Sequence, residues 1–105
     1  MFVNVIKSYR DVIAVCDKEI LGKVFEEPSG AGDGVIKQLN VKENFYKGKE
    51  TEELEVIEIM RSFSAEDATF NIVGQKSVAA AIKAGIITEE TVSEIKGIPF
   101  ALVLL

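Results

Sequence analysis

The residues best suited to chemistry lie in the run FNIVGQKSVAAAIKAG at 70–85, where a glycine directly precedes a helical pattern of apolar residues. The first backbone N–H groups of a helix lack intrahelical partners, and the helix dipole favours a negative charge beside them. This run therefore predicts a binding site for a carboxylate or phosphate. Its candidate binding residues are Asn71, Gly74, Gln75 and Lys76. In the alternative interpretation, Gly74 only permits a tight turn and Ser77 satisfies the helix end.

A second candidate binding site is the aromatic pair Phe45 and Tyr46, which lies among Lys42, Lys47 and Lys49. Aromatic rings beside basic side chains can stack on nucleic-acid bases. The alternative interpretation places both rings in the core, with the lysines on a solvated rim.

The other groups that could do chemistry favour a structural role. The chain has no histidine, the commonest general base and metal ligand, and its one cysteine, Cys16, lies in an apolar run. Adjacent acids such as Glu66 and Asp67 do not face each other on a helix. The glycines of PSGAGDG at 28–34 lack the spacing of a dinucleotide-binding or phosphate loop. We therefore predict that the protein is not an enzyme and has no cofactor and no metal.

The net charge of −5 is concentrated in one segment, because residues 50–67 contain seven acids and one arginine. A nucleic-acid-binding domain normally has a basic face, which would require the N-terminal lysines to converge. No apolar run approaches the ~20 residues that cross a bilayer, and the N-terminus lacks a signal-peptide pattern. We expect a cytoplasmic protein without a membrane partner.

The elements that must position these residues follow from hydrophobic periodicity in what we predict to be a single domain, 1–105. Extended segments are predicted at 2–8, 12–17, 23–27, 35–41, 92–97 and 98–105. Asp17 is predicted to cap a brief turn that Gly22 closes. The segment 28–34 is predicted to be a flexible glycine-rich loop or hairpin tip.

Two main helices are predicted, one from Thr51 as N-cap through Phe63 and one over 75–84. The segment 68–73 is ambiguous, because its residues favour a strand whereas Ser64 to Asp67 resembles a capping box. Together the elements predict an α+β fold, a small, mostly antiparallel sheet with the two main helices packed on it.

The chain resembles the archaeal domain-of-unknown-function family 424 over nearly its whole length. The resemblance rests on an ordered set of motifs, namely Asp17 with Leu21-Gly22-Lys23, Phe45-Tyr46, Asn71-Ile72-Val73-Gly74 and Gly97-Ile98-Pro99. It implies a cytoplasmic archaeal protein with no established activity and no catalytic residues to carry over. The chain departs from the family pattern at Phe100, where a polar residue often follows the proline, and at 28–34, which resembles an insertion.

Three functional hypotheses follow. The first is a non-enzymatic interaction module that binds another protein through the acidic helix of 50–67 or the apolar last strand, which could also pair with a second copy. The alternative is an RNA-associated protein of the translation apparatus, which would use the N-terminal lysines with Phe45 and Tyr46. The third is an enzyme or ligand binder at the helix start beside Gly74.

Overall fold

Short strands alternate with helices along residues 1–104, the part of the chain that this computed structural model describes. Within these residues the strands are β1 (Phe2–Ile6), β2 (Val12–Cys16), β3 (Val24–Pro28), β4 (Ile36–Asn40), β5 (Lys49–Glu50), β6 (Thr69–Val73), β7 (Ser93–Ile95) and β8 (Ile98–Val103). The α-helices are α1 (Glu43–Tyr46), α2 (Glu53–Ser64) and α3 (Gln75–Ala84). Two 3₁₀ turns cover Lys18–Ile20 and Glu89–Thr91.

The main sheet has the strand order β5-β1-β2-β6-β8-β7, and β3 pairs with β4 in a separate antiparallel hairpin. Neighbouring strands of the main sheet are antiparallel except β2 and β6, which run parallel. A parallel pair requires a long crossover, which here contains the hairpin, α1 and α2. The prediction of an α+β fold with a mostly antiparallel sheet is confirmed.

Helices α2 and α3 cover one face of the main sheet. Alternate side chains of the central strands point to that face and form the larger core, and among them Ile13, Val15, Phe70 and Ile72 are fully buried. Because α3 presents Ala80 and Ala81 to this core, it lies close to its neighbours. The burial of these apolar faces is what holds both helices on the sheet.

The opposite face of the main sheet is only half covered. The base of the β3–β4 hairpin and α1 pack on the end near Cys16 and Val73, together with Leu39, Val41 and Tyr46. Glycines of the segment 28–34 form the tip of that hairpin, as predicted from its composition.

Several local predictions were wrong. Thr51 does not cap α2, because the helix begins one residue later and the Thr51 hydroxyl donates to the carbonyl of Lys49 at 2.9 Å. The ambiguous segment 68–73 is resolved as a strand, β6, because the residues from Ser64 to Asp67 end α2 and Asp67 has a φ of 59°. The short helix α1 and strand β5 were not predicted, because few residues define them.

Candidate functional site

The start of α3 already holds an anion, and that anion is the carboxylate of Asp17. Asp17 Oδ2 accepts the backbone N–H of Lys76 at 3.0 Å, and Oδ1 accepts the backbone N–H and the hydroxyl of Ser77 at 2.8 and 2.7 Å. Asp17 is 6% exposed and Ser77 is fully buried. Strand β2 ends next to β6, so the residue after β2 lies beside the turn that begins α3. The prediction that Asp17 caps its own 3₁₀ turn was wrong, since that turn has no side-chain cap.

Gly74 is required by this arrangement for two separate reasons. Its φ of 110° lies where L side chains are strained. A Cβ on Gly74 would also lie 2.4 Å from the carboxyl carbon of Asp17. The tight turn proposed in the alternative interpretation is therefore present, but Asp17 and not Ser77 satisfies the helix end, since the Ser77 hydroxyl itself donates to Asp17.

The side chains of the other residues predicted for this anion site do not contact the anion that occupies it. Asn71 lies in the middle of β6, paired with Ala14 and Leu102, about 10 Å along the strand from Gly74. Gln75 is exposed at the first position of α3. The Lys76 ammonium faces Glu19 at 3.5 Å. The structure therefore brings Lys76 and Gly74 to the helix start, with Asp17 in the position an external anion would occupy.

Tyr46 is a core residue of the half-covered face, and Phe45 is partly buried against the same core. Tyr46 is buried, and its ring meets that of Phe45 edge-on with centroids 5.0 Å apart. Burial raises the pKa of Tyr46 to about 12 and, with the nearby Asp17 charge, that of Cys16 to about 11. The Asn4 amide donates to the carbonyl of Phe45 at 2.7 Å, which fixes α1 on the sheet. A buried Tyr46 ring is not available to stack on a base.

The N-terminal basic residues do not converge on one surface. Lys7 and Arg10 lie at the β1–β2 turn, whereas Lys18 and Lys23 follow the other end of β2, about 17 Å away along the strand. Lys7 pairs with Asp11, as Lys18 pairs with Glu50.

The acids around α2 are likewise partly neutralised by lysines. Glu50, Glu53 and Glu55 each lie within ion-pair distance of a lysine. The apolar residues of this helix predict a broad buried arc that includes Leu54, and for Leu54 that prediction was wrong, because its side chain is 78% exposed.

One opening in the strand ladders lies at the end of β8, and another lies at Asn4–Ile6 of β1, beyond its pairing with β5. Strand β7 pairs only with the first half of β8, from Ile98 to Phe100. Within residues 1–104 no strand pairs with Ala101–Val103 on the side away from β6. In an antiparallel ladder, alternate residues direct both backbone groups to the same side, so this edge presents unpaired donors and acceptors. Leu102 and Leu104 are 56% and 69% exposed there.

A groove of about 300 Å³ runs beside this open edge. One wall is the end of β8, from Leu102 to Leu104, and the other is formed by residues 85–88 and Thr91 of the chain that leaves α3. Ile86 and Ile87 supply the apolar part of that second wall. We call the open edge and its groove the β8 site.

Three glutamates lie around the β8 site. Glu89 and Glu90 are exposed on the 3₁₀ turn that forms part of the groove wall, and Glu94 is exposed on β7. A hydrogen bond from Thr88 lowers the pKa of Glu90. The C-terminal end of α3, where Gly85 adopts the left-handed conformation, adds the negative end of the helix dipole.

Sequence reasoning identified the last strand but not its open half. The feature that exposes this half is the difference in length between the two strands. Strand β8, Ile98–Val103, has six residues, whereas β7, Ser93–Ile95, has three. The turn between them, Lys96 and Gly97, has two positive φ values, which suits a two-residue hairpin. Such a turn fixes the register, so the longer strand must extend past its neighbour.

Residues 1–104 contain neither a metal-binding cluster nor a membrane-spanning helix. No group of three cysteine, aspartate or glutamate side chains there could hold a metal ion. No helix in that part of the chain has the length and hydropathy to cross a membrane.

Comparison with known proteins returned a family and a solved structure. The sequence model described as "Protein of unknown function (DUF424)" matches residues 6–105. A crystal structure titled as an uncharacterized conserved protein from Methanopyrus kandleri superposes with a TM-score of 0.81 at 22% identity, covering 97% of this chain and 88% of the other. At that identity the likeness shows a shared fold. No curated protein matches the chain.

Proposed function

The chain belongs to the family of proteins of unknown function DUF424, and from its own geometry we propose that it is a non-enzymatic protein-binding module of the archaeal cytoplasm. It takes an extended segment of another protein at the β8 site. The archaeal part of the proposal is supported by the Methanopyrus neighbour. The observation that carries the binding function is the pairing of β7 with only half of β8.

Strand addition suits the β8 site because main-chain hydrogen bonds and side-chain contacts are available together. An added strand would pair with the free backbone N–H and C=O of Leu102, because Ala101 and Val103 direct theirs to β6. It would place alternate side chains against Leu102 and against the groove wall. Native proteins usually cover an edge strand with another element, or place charged residues along it, where leucines would otherwise be exposed beside unpaired backbone groups. Here they stand uncovered within residues 1–104.

The non-enzymatic part of the proposal is supported by the state of the two side chains that could react, one of which is fully hydrogen-bonded and the other buried. The Asp17 carboxylate is held by three donors at the start of α3. The Cys16 thiol is fully buried, and its raised pKa keeps it protonated at neutral pH.

Affinity capture from an archaeal lysate tests the proposal when it compares single-residue variants. Leu102→Lys changes the β8 site, and Leu54→Lys changes the acidic helix α2, the other surface that the sequence offered. We expect a set of proteins that the wild type and Leu54→Lys retain and that Leu102→Lys loses. The same proteins on all three baits, or losses only with Leu54→Lys, would exclude the β8 site.

Nuclease treatment of the same lysates separates protein binding from the RNA alternative. The fully exposed Tyr9 beside Lys7 and Arg10 is the feature that favours RNA. Partners that disappear after nuclease, together with binding of RNA that falls steeply with salt in a retardation assay, would replace the proposed function by that alternative.

A further inference from the structure

The two faces of an added strand would meet different surroundings at the β8 site. Ile98 and Phe100 pack in the smaller core, so Leu102, two residues on, lies on the hairpin side of the sheet. Ala101 and Val103 belong to the core beneath α2 and α3 and lie on the helix side. Each face of the site can therefore be assigned from the pleat.

The three glutamates all lie on the helix side. Ile95 packs in the smaller core, so its neighbour Glu94 points to the opposite face, as does its partner in register, Pro99. Glu89 and Glu90 belong to the turn that follows α3 and forms the groove wall. The hairpin side of the site carries instead the exposed side chain of Leu102.

The two lysines nearest in sequence leave the open half of β8 without a basic side chain. Lys96 is in the β7–β8 turn, two residues from Glu94 but about 10 Å along β8 from Ala101. Lys83, near the end of α3, pairs with Glu53. The helix side of the site therefore combines three carboxylates with the negative end of the α3 dipole.

A second copy of the chain is a poor occupant of such a site. Each copy has a net charge of −5 and would bring the same three glutamates to the shared edge. Like charges opposed across an interface are unfavourable.

We infer that the segment bound at the β8 site alternates apolar residues with Lys or Arg, an inference that rests on the proposed function. The apolar residues lie on the hairpin side against Leu102. The basic residues lie on the helix side, where their aliphatic stems contact Ile86 and Ile87 and their charged ends reach Glu89, Glu90 and Glu94.

Three synthetic heptapeptides with blocked ends test the inference on the full chain. The first alternates Lys and Val, the second alternates Glu and Val, and the third is the Lys peptide with proline in place of the central Val. Binding is followed by amide chemical shifts of the isotope-labelled protein. We expect the Lys peptide to shift the signals of 101–104 and 88–91, at least tenfold more tightly than the Glu peptide and less tightly as salt rises.

The outcomes separate the inference from the proposed function. Equal binding of the Lys and Glu peptides at 101–104 overturns the charge preference and leaves strand addition standing. Proline removes a backbone donor of the ladder, so equal binding of the proline peptide and the Lys peptide overturns strand addition as well. Amide shifts confined to residues outside 101–104 and 88–91 have the same consequence. Absence of binding by all three peptides, with lysate capture still lost in Leu102→Lys, rejects the inference alone.

Charge reversal supplies the matched control. The double variant Glu89→Lys/Glu90→Lys should bind the Lys peptide at least tenfold more weakly and the Glu peptide more tightly. The control Glu26→Lys/Glu27→Lys makes the same change in net charge on the β3–β4 hairpin and should leave both affinities within twofold. A similar loss in both double variants would show that only overall charge matters. Sedimentation over a concentration series identifies self-association, which would favour a second copy as the occupant.

Discussion

The two ends of helix α3 differ in what they leave for a partner. At the N-terminal end, Asp17 accepts three hydrogen bonds and is nearly excluded from water. At the C-terminal end, the chain turns away at Gly85 and leaves a groove beside the unpaired half of β8. The end with the stronger chemical signature in the sequence is closed by the fold itself. The end without a motif is open, because adjacent strands differ in length.

The closed end can be tested by removing its carboxylate. Asp17→Ala should lower the free energy of unfolding by about 3 kcal/mol, because a buried helix cap is lost and buried donors keep no acceptor. Urea denaturation measures the change. Asp17→Asn keeps one acceptor oxygen and should lose about half as much. A loss below about 1 kcal/mol for Asp17→Ala would mean that water replaces the carboxylate at the helix start.

The coupling between Gly74 and Asp17 sharpens the same contrast. Gly74→Ala should cost about 2 kcal/mol, from the strained φ and from contact of the new Cβ with the carboxylate. In the Asp17→Ala background the contact is gone, so the cost should fall by about 1 kcal/mol. A double-mutant cycle by urea denaturation measures this difference. Strictly additive costs would show that the carboxylate moves aside freely.

Alkaline pH probes the buried groups near the closed end. The pKa of Cys16 is raised from 9.0 to about 11 and that of Tyr46 from 10.0 to about 12, so the unfolded chain ionises first. The stability that these protonated groups contribute is complete below pH 9 and is lost as the pH rises through 11 and 12. A shift of two pKa units corresponds to at most about 3 kcal/mol from each group. Urea denaturation at a series of pH values measures the profile, and Cys16→Ala and Tyr46→Phe should each flatten part of it.

The open end should show the smallest effect on stability. Leu102→Thr should change the free energy of unfolding by less than about 0.5 kcal/mol, because its side chain is already largely in water. Ala101→Thr, at the adjacent buried position, should cost at least 1 kcal/mol, because it overpacks the core and buries a hydroxyl. If the two variants were equally destabilising by urea denaturation, the β8 edge would be covered in solution.

Parts of the fold with strong periodicity were predictable from the sequence. The first hairpin follows from two apolar runs with a short polar break, and α3 follows from its apolar stripe and the glycine at its end. The family resemblance is confirmed by the match to residues 6–105. The capping patterns at Thr51 and at 64–67 did not predict the ends of α2 correctly. Such patterns depend on a few neighbouring residues, whereas the ends of α2 depend on how its buried face packs in the core.

The candidate sites were less predictable, because each depends on residues distant in sequence. Asp17 and Ser77 are 60 positions apart, and the parallel pairing of β2 with β6 brings them together. Tyr46 carries the same local sequence whether it stacks on a ligand or packs in the core. Only the position of α1 on the sheet decides that it is buried.

The amino-acid sequence alone determined the class of fold, the concentration of negative charge in 50–67 and the lack of any imidazole. Composition and short-range periodicity are enough for such properties. The tertiary structure decided which groups are already satisfied and which remain open, because hydrogen bonds and burial depend on neighbours across the sheet. It assigned the start of α3 to Asp17 and left the outer edge of β8 uncovered within residues 1–104.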